Sequence, residues 1–290
     1  MTSTDGPPLR AEDLGKHYGR GWALRDCTLE LPAERVVALV GPNGAGKTTL
    51  IGLATGLLAP SEGSVRVFGR RPGGRGLPPE VAYLSQRKPL YPDLTVTETL
   101  HLGRRLNPTW DQAYAQGLVT AAGVPLKARV GTLSGGQRTR VAIALALGKR
   151  PRLVLLDEPL ADLDPLARQD TLRTLLGEAR REGITVVLSS HVLAELQAAC
   201  DHLVLLGGGR VRLAGDVERL LAEHWLLTTG ARAPAPRGEI VDVQRDSGQV
   251  RLLVRTGQPS FGPPWTVSRP GLEDIVLGHM RAARQTEVAA

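Results

Sequence analysis

Residues 41–49 read GPNGAGKTT, and this stretch decides the fold. It follows Val36–Val40 (VVALV), which has the length and the branched composition of a buried strand. The segment after it, residues 50–58 (LIGLATGLL), is apolar and free of proline, which predicts a helix. In a strand–turn–helix context the pattern G-x-x-x-x-G-K-[ST] indicates a phosphate-binding loop. The alternative is a glycine turn before a helix with an ordinary surface lysine, and the context favours a nucleotide site.

The residue types in this loop suit phosphate chemistry. Gly41, Gly44 and Gly46 let the backbone turn tightly, so that several N–H groups converge on phosphate oxygens at the positive end of a helix. Lys47 adds a point charge for the outer phosphates, and the Thr48 hydroxyl is predicted to ligate Mg²⁺. The other loop residues assigned to the nucleotide site are Pro42, Asn43, Ala45 and Thr49.

Length and composition fit one large domain with a small appendage, because the chain has 290 residues. Its net charge is +7, and the excess comes from arginines spread along the whole chain. Three explanations stay open for this charge: arginines on solvated faces, an anionic membrane surface, or nucleic acid. The first is the plainest, because no run of five or more basic residues is present.

Nothing in the chain predicts export or a membrane span. Cys27 and Cys200 have no metal or redox spacing, which favours two small core residues in a reducing compartment. No stretch reaches the roughly 18 apolar residues of a transmembrane helix, and the N-terminus MTSTDGPPLR has no hydrophobic segment. We therefore expect a cytoplasmic protein, and any membrane spans would come from another chain.

Strands alternate with helices over most of the chain, which predicts an α/β fold with a mostly parallel sheet covered on both faces. Residues 1–8 are expected to be a disordered lead, and 9–215 the main domain. Within it, 9–31 suggests two strands around the turn at Gly19–Gly21, and 89–147 is mainly helical, with helix caps at Thr95 or Thr97 and at Thr109.

A small α+β appendage is predicted for residues 216–290. It comprises a helix over 217–227, a Pro/Gly/Ala linker over 228–238, a hairpin around 246–248, and a last helix over 271–281. Dimer contact and capping of the main domain are the plainest roles for it.

A pair of acids ends the buried strand LVLL at residues 153–156. We expect this strand to lie next to the phosphate-loop strand. Asp157 there can hold Mg²⁺, and Glu158 can polarise an attacking water. The alternative is two solvated acids at a strand end, which the phosphate loop makes less favourable.

A second helix start suited to anions lies at LSGGQR, residues 133–138. A serine followed by two glycines there offers free N–H groups, a hydroxyl and a positive dipole. With this string between the two phosphate-site motifs, residues 8–215 resemble the ATP-binding cassette (ABC) family of transporter ATPases. The family's signature string is matched by Leu133, Ser134, Gly135, Gly136 and Gln137.

The resemblance implies a P-loop NTPase core: a RecA-like sheet with helices on both faces, an antiparallel β subdomain and a helical subdomain. It also implies a head-to-tail dimer, with ATP on Lys47 of one copy meeting Ser134–Gly136 of the other.

Tyr18, in KHYG, matches the aromatic that stacks on adenine, although Trp22 is a rival and a packed strand aromatic is the alternative. Gln86, at the end of YLSQ, matches the glutamine that senses Mg²⁺ and the attacking water.

Three further positions take roles from the resemblance. Glu158 is the expected general base, and His191, after VVLSS, matches the histidine that contacts the γ-phosphate. Asp164 matches a loop that communicates across the dimer, and helix N-capping explains it equally well. The sequence departs from the family pattern at 160–162, where Leu-Ala-Asp replaces Thr-Ser-Ala in a segment that the resemblance places at the dimer interface.

The function implied is the ATP-hydrolysing subunit of a transporter, peripheral on the inner face of a bacterial membrane. Its partners would be separate permease subunits docking near 86–100 and a second cassette, either another copy or a paralogue. Residues 107–115 and GLEDIVL at 271–277 resemble drug- or peptide-type exporters. The rivals are a cassette acting on ribosomes or nucleic acid, disfavoured by the single set of motifs, and a subunit that closes on ATP without turnover.

Overall fold

A six-stranded sheet in the order β5-β6-β7-β3-β8-β9 forms the centre of the computed structural model, which describes residues 6–19, 21–74, 76–190, 199–230, 233–246 and 248–289. Five strands are parallel, and β9 runs antiparallel to β8. The strands are β3 (Val36–Val40), β5 (Val81–Leu84), β6 (Leu153–Asp157), β7 (Thr185–Ser189), β8 (His202–Gly207) and β9 (Arg210–Asp216). The predicted α/β class with a mostly parallel sheet is confirmed.

One face of this sheet packs against a second, antiparallel sheet in the order β2-β1-β4. Its strands are β1 (Leu9–Tyr18), β2 (Gly21–Leu31) and β4 (Glu62–Arg66). Helix α1 (Lys47–Ala54) lies in the shared core, where Leu50 and Ile51 contact the side chains of both sheets. Helix α1 is shorter than the sequence predicts, because Thr55 caps it and Gly56 follows with a positive φ.

The predicted helical region holds α2 (Val96–Leu106), α3 (Gln112–Ala121) and α4 (Gly135–Gly148). A capping box begins α2, in which the Thr95 hydroxyl accepts from the Glu98 N–H and the Glu98 carboxylate accepts from the Thr95 N–H. The cap of α3 is Asp111 and not Thr109, whose hydroxyl instead donates to the Lys149 carbonyl. Helix α5 (Pro165–Arg181) packs on the other face of the central sheet through Leu172, Leu175 and Leu176.

The C-terminal segment differs from its prediction in the lengths of its helices, and the last helix, predicted over 271–281, spans Leu272–Ala289. Helix α6 (Val217–Glu223) is followed directly by strand β10 (His224–Thr229), whereas the sequence predicted helix to residue 227. Strand β10 is central in an antiparallel sheet of order β11-β12-β10-β13, so backbone pairing on both sides outweighs the local helical pattern. The remaining elements are β11 (Glu239–Asp246), β12 (Gln249–Arg255), β13 (Thr266–Ser268) and α7 (Leu272–Ala289).

The core of the central sheet continues into this segment. Leu272, Ile275 and Val276 of α7 belong to the same buried cluster as Leu203 and Leu205 of β8. The predicted division at residue 216 therefore separates two sheets that share one hydrophobic core, and it stays a proposal as a domain boundary.

A buried histidine pair joins β10 to α7. His224 is fully buried, and its Nδ1 lies 2.7 Å from the Leu220 carbonyl oxygen. Because a carbonyl only accepts, Nδ1 is the donor, and His224 Nε2 is left to accept from His279 Nε2 at 3.2 Å. Burial, together with the charges of His224 and Arg255, lowers the pKa of His279 from 6.5 to about 4.

This pair predicts a loss of stability in mild acid. Between about pH 6.5 and about pH 4 the unfolded chain binds a proton at His279 that the folded chain does not, so the free energy of unfolding falls as the pH falls. We expect the melting temperature to drop between pH 7 and pH 5 in thermal scans, and to drop less in His279→Gln, which cannot gain a charge. Equal drops in the two proteins would contradict this assignment.

Candidate functional site

The loop 41–49 has the backbone shape that its glycines predict. Gly46 has φ of 103°, and a Cβ there would lie 2.6 Å from the Ala23 carbonyl oxygen, so only glycine fits between the loop and β2. Gly41 also has a positive φ, and a Cβ there would collide with the Leu206 carbonyl of β8. The loop therefore runs from the end of β3 into α1 with its backbone held against two neighbouring strands.

Lys47 is buried at the first position of α1, with 6% of its surface exposed. Its ammonium donates to the carbonyl oxygens of Gly41 at 2.7 Å and Pro42 at 3.2 Å, which holds the charge inside the loop. Burial lowers the pKa of Lys47 from 10.5, and the charges of Glu158 and Asp157 partly offset this effect. The lysine and both acids therefore share one electrostatic environment. Thr48, the next residue, is exposed.

The carboxyl ends of four parallel strands bring the predicted motifs to one edge of the sheet. The loop 41–49 follows β3, and Gln86 follows β5. Asp157 ends β6 with Glu158 directly after it, and Ser189 ends β7. The predicted adjacency of the phosphate-loop strand and the acid-bearing strand is wrong, because β7 lies between β3 and β6. The sequence does not specify the order of these strands in the sheet, because each buried apolar strand could pair equally well with either of the others.

Ser189 links the two acids and is a residue that the sequence analysis missed. Its hydroxyl donates to Asp157 Oδ1 at 2.8 Å and accepts from the Glu158 N–H at 2.9 Å. Ser189 is fully buried, and Glu158 has φ of 46°, a conformation that needs such local support. A polar residue at the end of the apolar run VVLS was the available signal.

Removing this hydroxyl is expected to damage hydrolysis. In Ser189→Ala the Asp157 carboxylate and the Glu158 N–H each lose a buried partner, at a cost of about 1–3 kcal/mol in stability. We expect the turnover number for ATP to fall about tenfold, because the Ser189 hydroxyl no longer positions Asp157 and Glu158 relative to each other. Steady-state hydrolysis and thermal unfolding measure the two effects. Ser189→Thr, which keeps the hydroxyl, should retain more activity, and equal losses in both variants would contradict the role of this bridge.

The tip of the β1–β2 hairpin lies beside the loop 41–49, since Ala23 and Leu24 contact Gly46. Tyr18 is at this tip, paired with Gly21, and 48% of its surface is exposed. The rival Trp22 is 37% exposed and packs edge-on against the His17 ring at a centroid distance of 5.1 Å. The Tyr18 ring is therefore the more exposed of the two, and the Lys16 ammonium lies 5.4 Å from its centroid.

The signature string begins α4. The Ser134 hydroxyl accepts from the Gln137 N–H at 3.2 Å, and the Gln137 side-chain oxygen accepts from the Ser134 N–H at 3.1 Å, which is a complete capping box. Ser134 and Gly135 are exposed, Gly136 is half-buried, and Leu133 is buried in the helical core.

Asp164 begins α5 as its N-cap, and its carboxylate accepts from the Ala167 N–H at 2.9 Å. A Cβ on Gly136 would lie 3.9 Å from Ala167 Cβ, so the signature helix and the Asp164 loop are neighbours within one chain. The structural role of Asp164 is thus plain, while its role across a dimer stays a prediction. The predicted His191 lies outside the described residues.

Comparison with known proteins identifies the family of this fold and site. Residues 24–161 match the family model described as "ABC transporter". The chain is 37% identical over 225 residues to the molybdenum import ATP-binding protein of Paramagnetospirillum magneticum, covering 73% of this chain and 62% of that protein. It is 34% identical over 231 residues to a phosphonates import ATP-binding protein of Rhizobium etli, covering 73% of this chain and 82% of that protein.

Solved structures agree with these relatives. A solved structure of the ATP-binding subunit of an ABC transporter superposes with a TM-score of 0.65 at 30% identity, covering 73% of this chain and 91% of that one. The chain belongs to the ABC family of transporter ATPases, and its main domain is an ATP-binding, ATP-hydrolysing cassette. Both relatives above are named as import proteins, so they lend no support to the predicted exporter.

Proposed function

We propose that this ATPase energises a separate membrane permease by closing and reopening as a head-to-tail dimer around two ATP molecules. The observation that carries the proposal is the arrangement at one edge of the central sheet, where the loop 41–49 with Lys47 follows β3 and the acids Asp157 and Glu158 lie at the end of β6, two strands away. In the part of the chain that the structure describes, no helix is long and apolar enough to cross a membrane.

The chemistry assigned to this edge follows from the side chains present. Lys47 binds the outer phosphates in place of its present carbonyl partners, and Tyr18 stacks on adenine. Glu158 takes the proton of the attacking water as general base, with Gln86 and His191 orienting water and γ-phosphate. The side chains of Thr48, Gln86 and Asp157 can each ligate a metal ion through an oxygen atom, which fits Mg²⁺. When bound, this ion would neutralise charge on the phosphates.

The second half of each ATP site is assigned to another chain. Ser134 and Gly135 are exposed at the start of a 14-residue helix whose dipole favours an anion, and this chain has a single phosphate loop. A head-to-tail pair of cassettes, either two copies or this chain with a paralogue, would place the signature of one on the γ-phosphate of the other. Bound ATP then stabilises the dimer, and hydrolysis allows the two cassettes to separate.

A cleft on the helical region is the assigned docking site for the permease. The cleft encloses about 210 Å³ and lies between the 89–91 segment and helix α2. The 89–91 segment begins three residues after Gln86. Two large apolar residues beside it are mostly exposed, Tyr91 at 64% and Leu106 at 71%. Exposed apolar side chains around a cleft fit an inserted helix of a partner protein. The direction of transport stays open, since only the resemblance of 107–115 and 271–277 favours export.

Purification from the native membrane tests this function. We expect the chain to copurify in mild detergent with a multi-span membrane protein whose addition stimulates ATP hydrolysis. Leu106→Glu should weaken the association, whereas Leu57→Glu, at a similarly exposed leucine of the loop after α1, should not. Stimulation by RNA or ribosomes in place of a membrane protein would overturn the proposal.

A further inference from the structure

A nearly buried lysine outside the motifs joins two loops of the ATP site. The Lys88 ammonium lies 3.0 Å from Asp162 Oδ2, and the Lys88 side chain is 4% exposed while that of Asp162 is 67% exposed. The ion pair spans 74 residues of sequence. A buried ammonium is unfavourable without a partner, so this contact fixes where the two loops meet.

Lys88 belongs to the turn that carries Gln86. Its N–H donates to the Ser85 carbonyl at 3.1 Å, which closes the turn over Gln86, and its φ of 43° marks a tight backbone. Pro89, the next residue, begins the lining of the cleft assigned to the permease. Any displacement of this turn moves Gln86 and the Lys88 ammonium together.

Asp162 belongs to the loop that joins Glu158 to Asp164. The loop is folded tightly by bonds from the Ala161 N–H to the Glu158 carbonyl and from the Leu163 N–H to the Leu160 carbonyl. A Cβ on Gly135 would lie 3.5 Å from the Asp162 carbonyl oxygen. Asp162 therefore stands between the expected general base, the cap of α5 and the start of the signature helix.

We propose that the Lys88–Asp162 ion pair positions the Glu158–Asp164 loop relative to the Gln86 turn and is required for full turnover. Lys88 and Asp162 act through the residues they hold and touch no reacting atom. This inference rests on the proposed function of Gln86, Glu158 and Asp164. It concerns the position where this sequence has Asp in place of the Ala of the family pattern.

The unequal burial of the two partners allows stability to be separated from turnover. Lys88→Met leaves an exposed carboxylate that water solvates, so its melting temperature should stay near that of the parent. Asp162→Asn leaves a buried ammonium without its partner, so that variant should melt lower. The double variant removes the buried charge as well and should regain most of the lost stability.

The experiment measures melting temperature and ATP hydrolysis of these three variants and the parent, at a temperature where all four are folded. We expect all three to show a turnover number about tenfold below the parent, with KM for ATP within about twofold. The double variant should be no slower than the singles, because one interaction is lost in each. Lys88→Arg, which keeps the charge, should recover part of the turnover.

The results separate failure of this inference from failure of the proposed function. Stimulation of the parent by RNA or ribosomes in place of a membrane protein would overturn the function itself, and parent turnover that persists unchanged in Glu158→Gln would overturn the general-base role of Glu158. An active parent with Lys88→Met at the parent turnover number would overturn the ion-pair role alone. Turnover that tracks melting temperature, with the double variant recovering both, would reduce the ion pair to a structural contact and would equally overturn the role proposed here.

Discussion

Glu158→Gln is expected to abolish turnover while leaving ATP binding intact. The amide keeps the size and hydrogen-bonding shape of the carboxylate but cannot take a proton from water. Loss of a general base costs about 10²- to 10⁴-fold in rate, so the turnover number should fall by at least about a hundredfold. The Kd for ATP should change little, because Lys47 and the backbone of the loop 41–49 hold the phosphates.

The same variant should also accumulate as a dimer when ATP is added, since hydrolysis is the step that reopens the pair. Size-exclusion chromatography coupled to light scattering measures this directly, with and without ATP. Glu182→Gln is the matched control, because it makes the same change at the C-cap of α5, outside the motifs. Hydrolysis by Glu158→Gln at the parent rate would show that another group is the base.

Lys47→Met is expected to lose ATP itself. Removing a buried hydrogen-bonded charge from a charged ligand costs about 2–5 kcal/mol, which corresponds to a roughly 30-fold or larger rise in Kd. The methionine side chain fills a similar volume, so the fold should persist. Titration of ATP followed by calorimetry or intrinsic fluorescence measures the change.

The chain supplies a close control for Lys47 in a second buried lysine. Lys149 is 8% exposed, and its ammonium donates to the carbonyl oxygens of Pro78 at 2.8 Å and Val81 at 2.7 Å. Burial lowers the pKa of Lys149 as it does that of Lys47. Lys149→Met therefore repeats the change away from the phosphate loop and should leave the Kd for ATP unaltered. Similar Kd values for the two variants would contradict the assignment of Lys47.

The motifs were predictable because each is a local pattern whose chemistry depends on neighbouring residues. The loop 41–49 needs only its own glycines and the flanking strand and helix. Ser134 and Asp164 act as caps on helices that follow immediately, and the structure has both caps. The folded protein has these local conformations because no contact with a residue distant in sequence favours a different one.

Features that depend on distant contacts were missed. The order of β3, β7 and β6 is fixed by packing of the whole sheet, and three apolar strands of similar composition do not reveal it. The sequence predicted helix for the first part of β10, because its strand character depends on pairing with β12, which begins 20 residues after β10 ends. The Ser189 bridge and the Lys88–Asp162 ion pair each join loops far apart in sequence, so neither has a local pattern.

The central claim is that each working ATP site is shared between two chains, and mixing two inactive variants tests it most directly. Lys47→Met destroys the phosphate loop, and Ser134→Arg blocks the signature, so each variant alone should be inactive. In a mixed head-to-tail dimer one site combines the intact Lys47 of one chain with the intact Ser134 of the other. An equal mixture should therefore recover about a quarter of the parent turnover. A mixture as inactive as either variant alone, beside an active parent, would contradict the shared site.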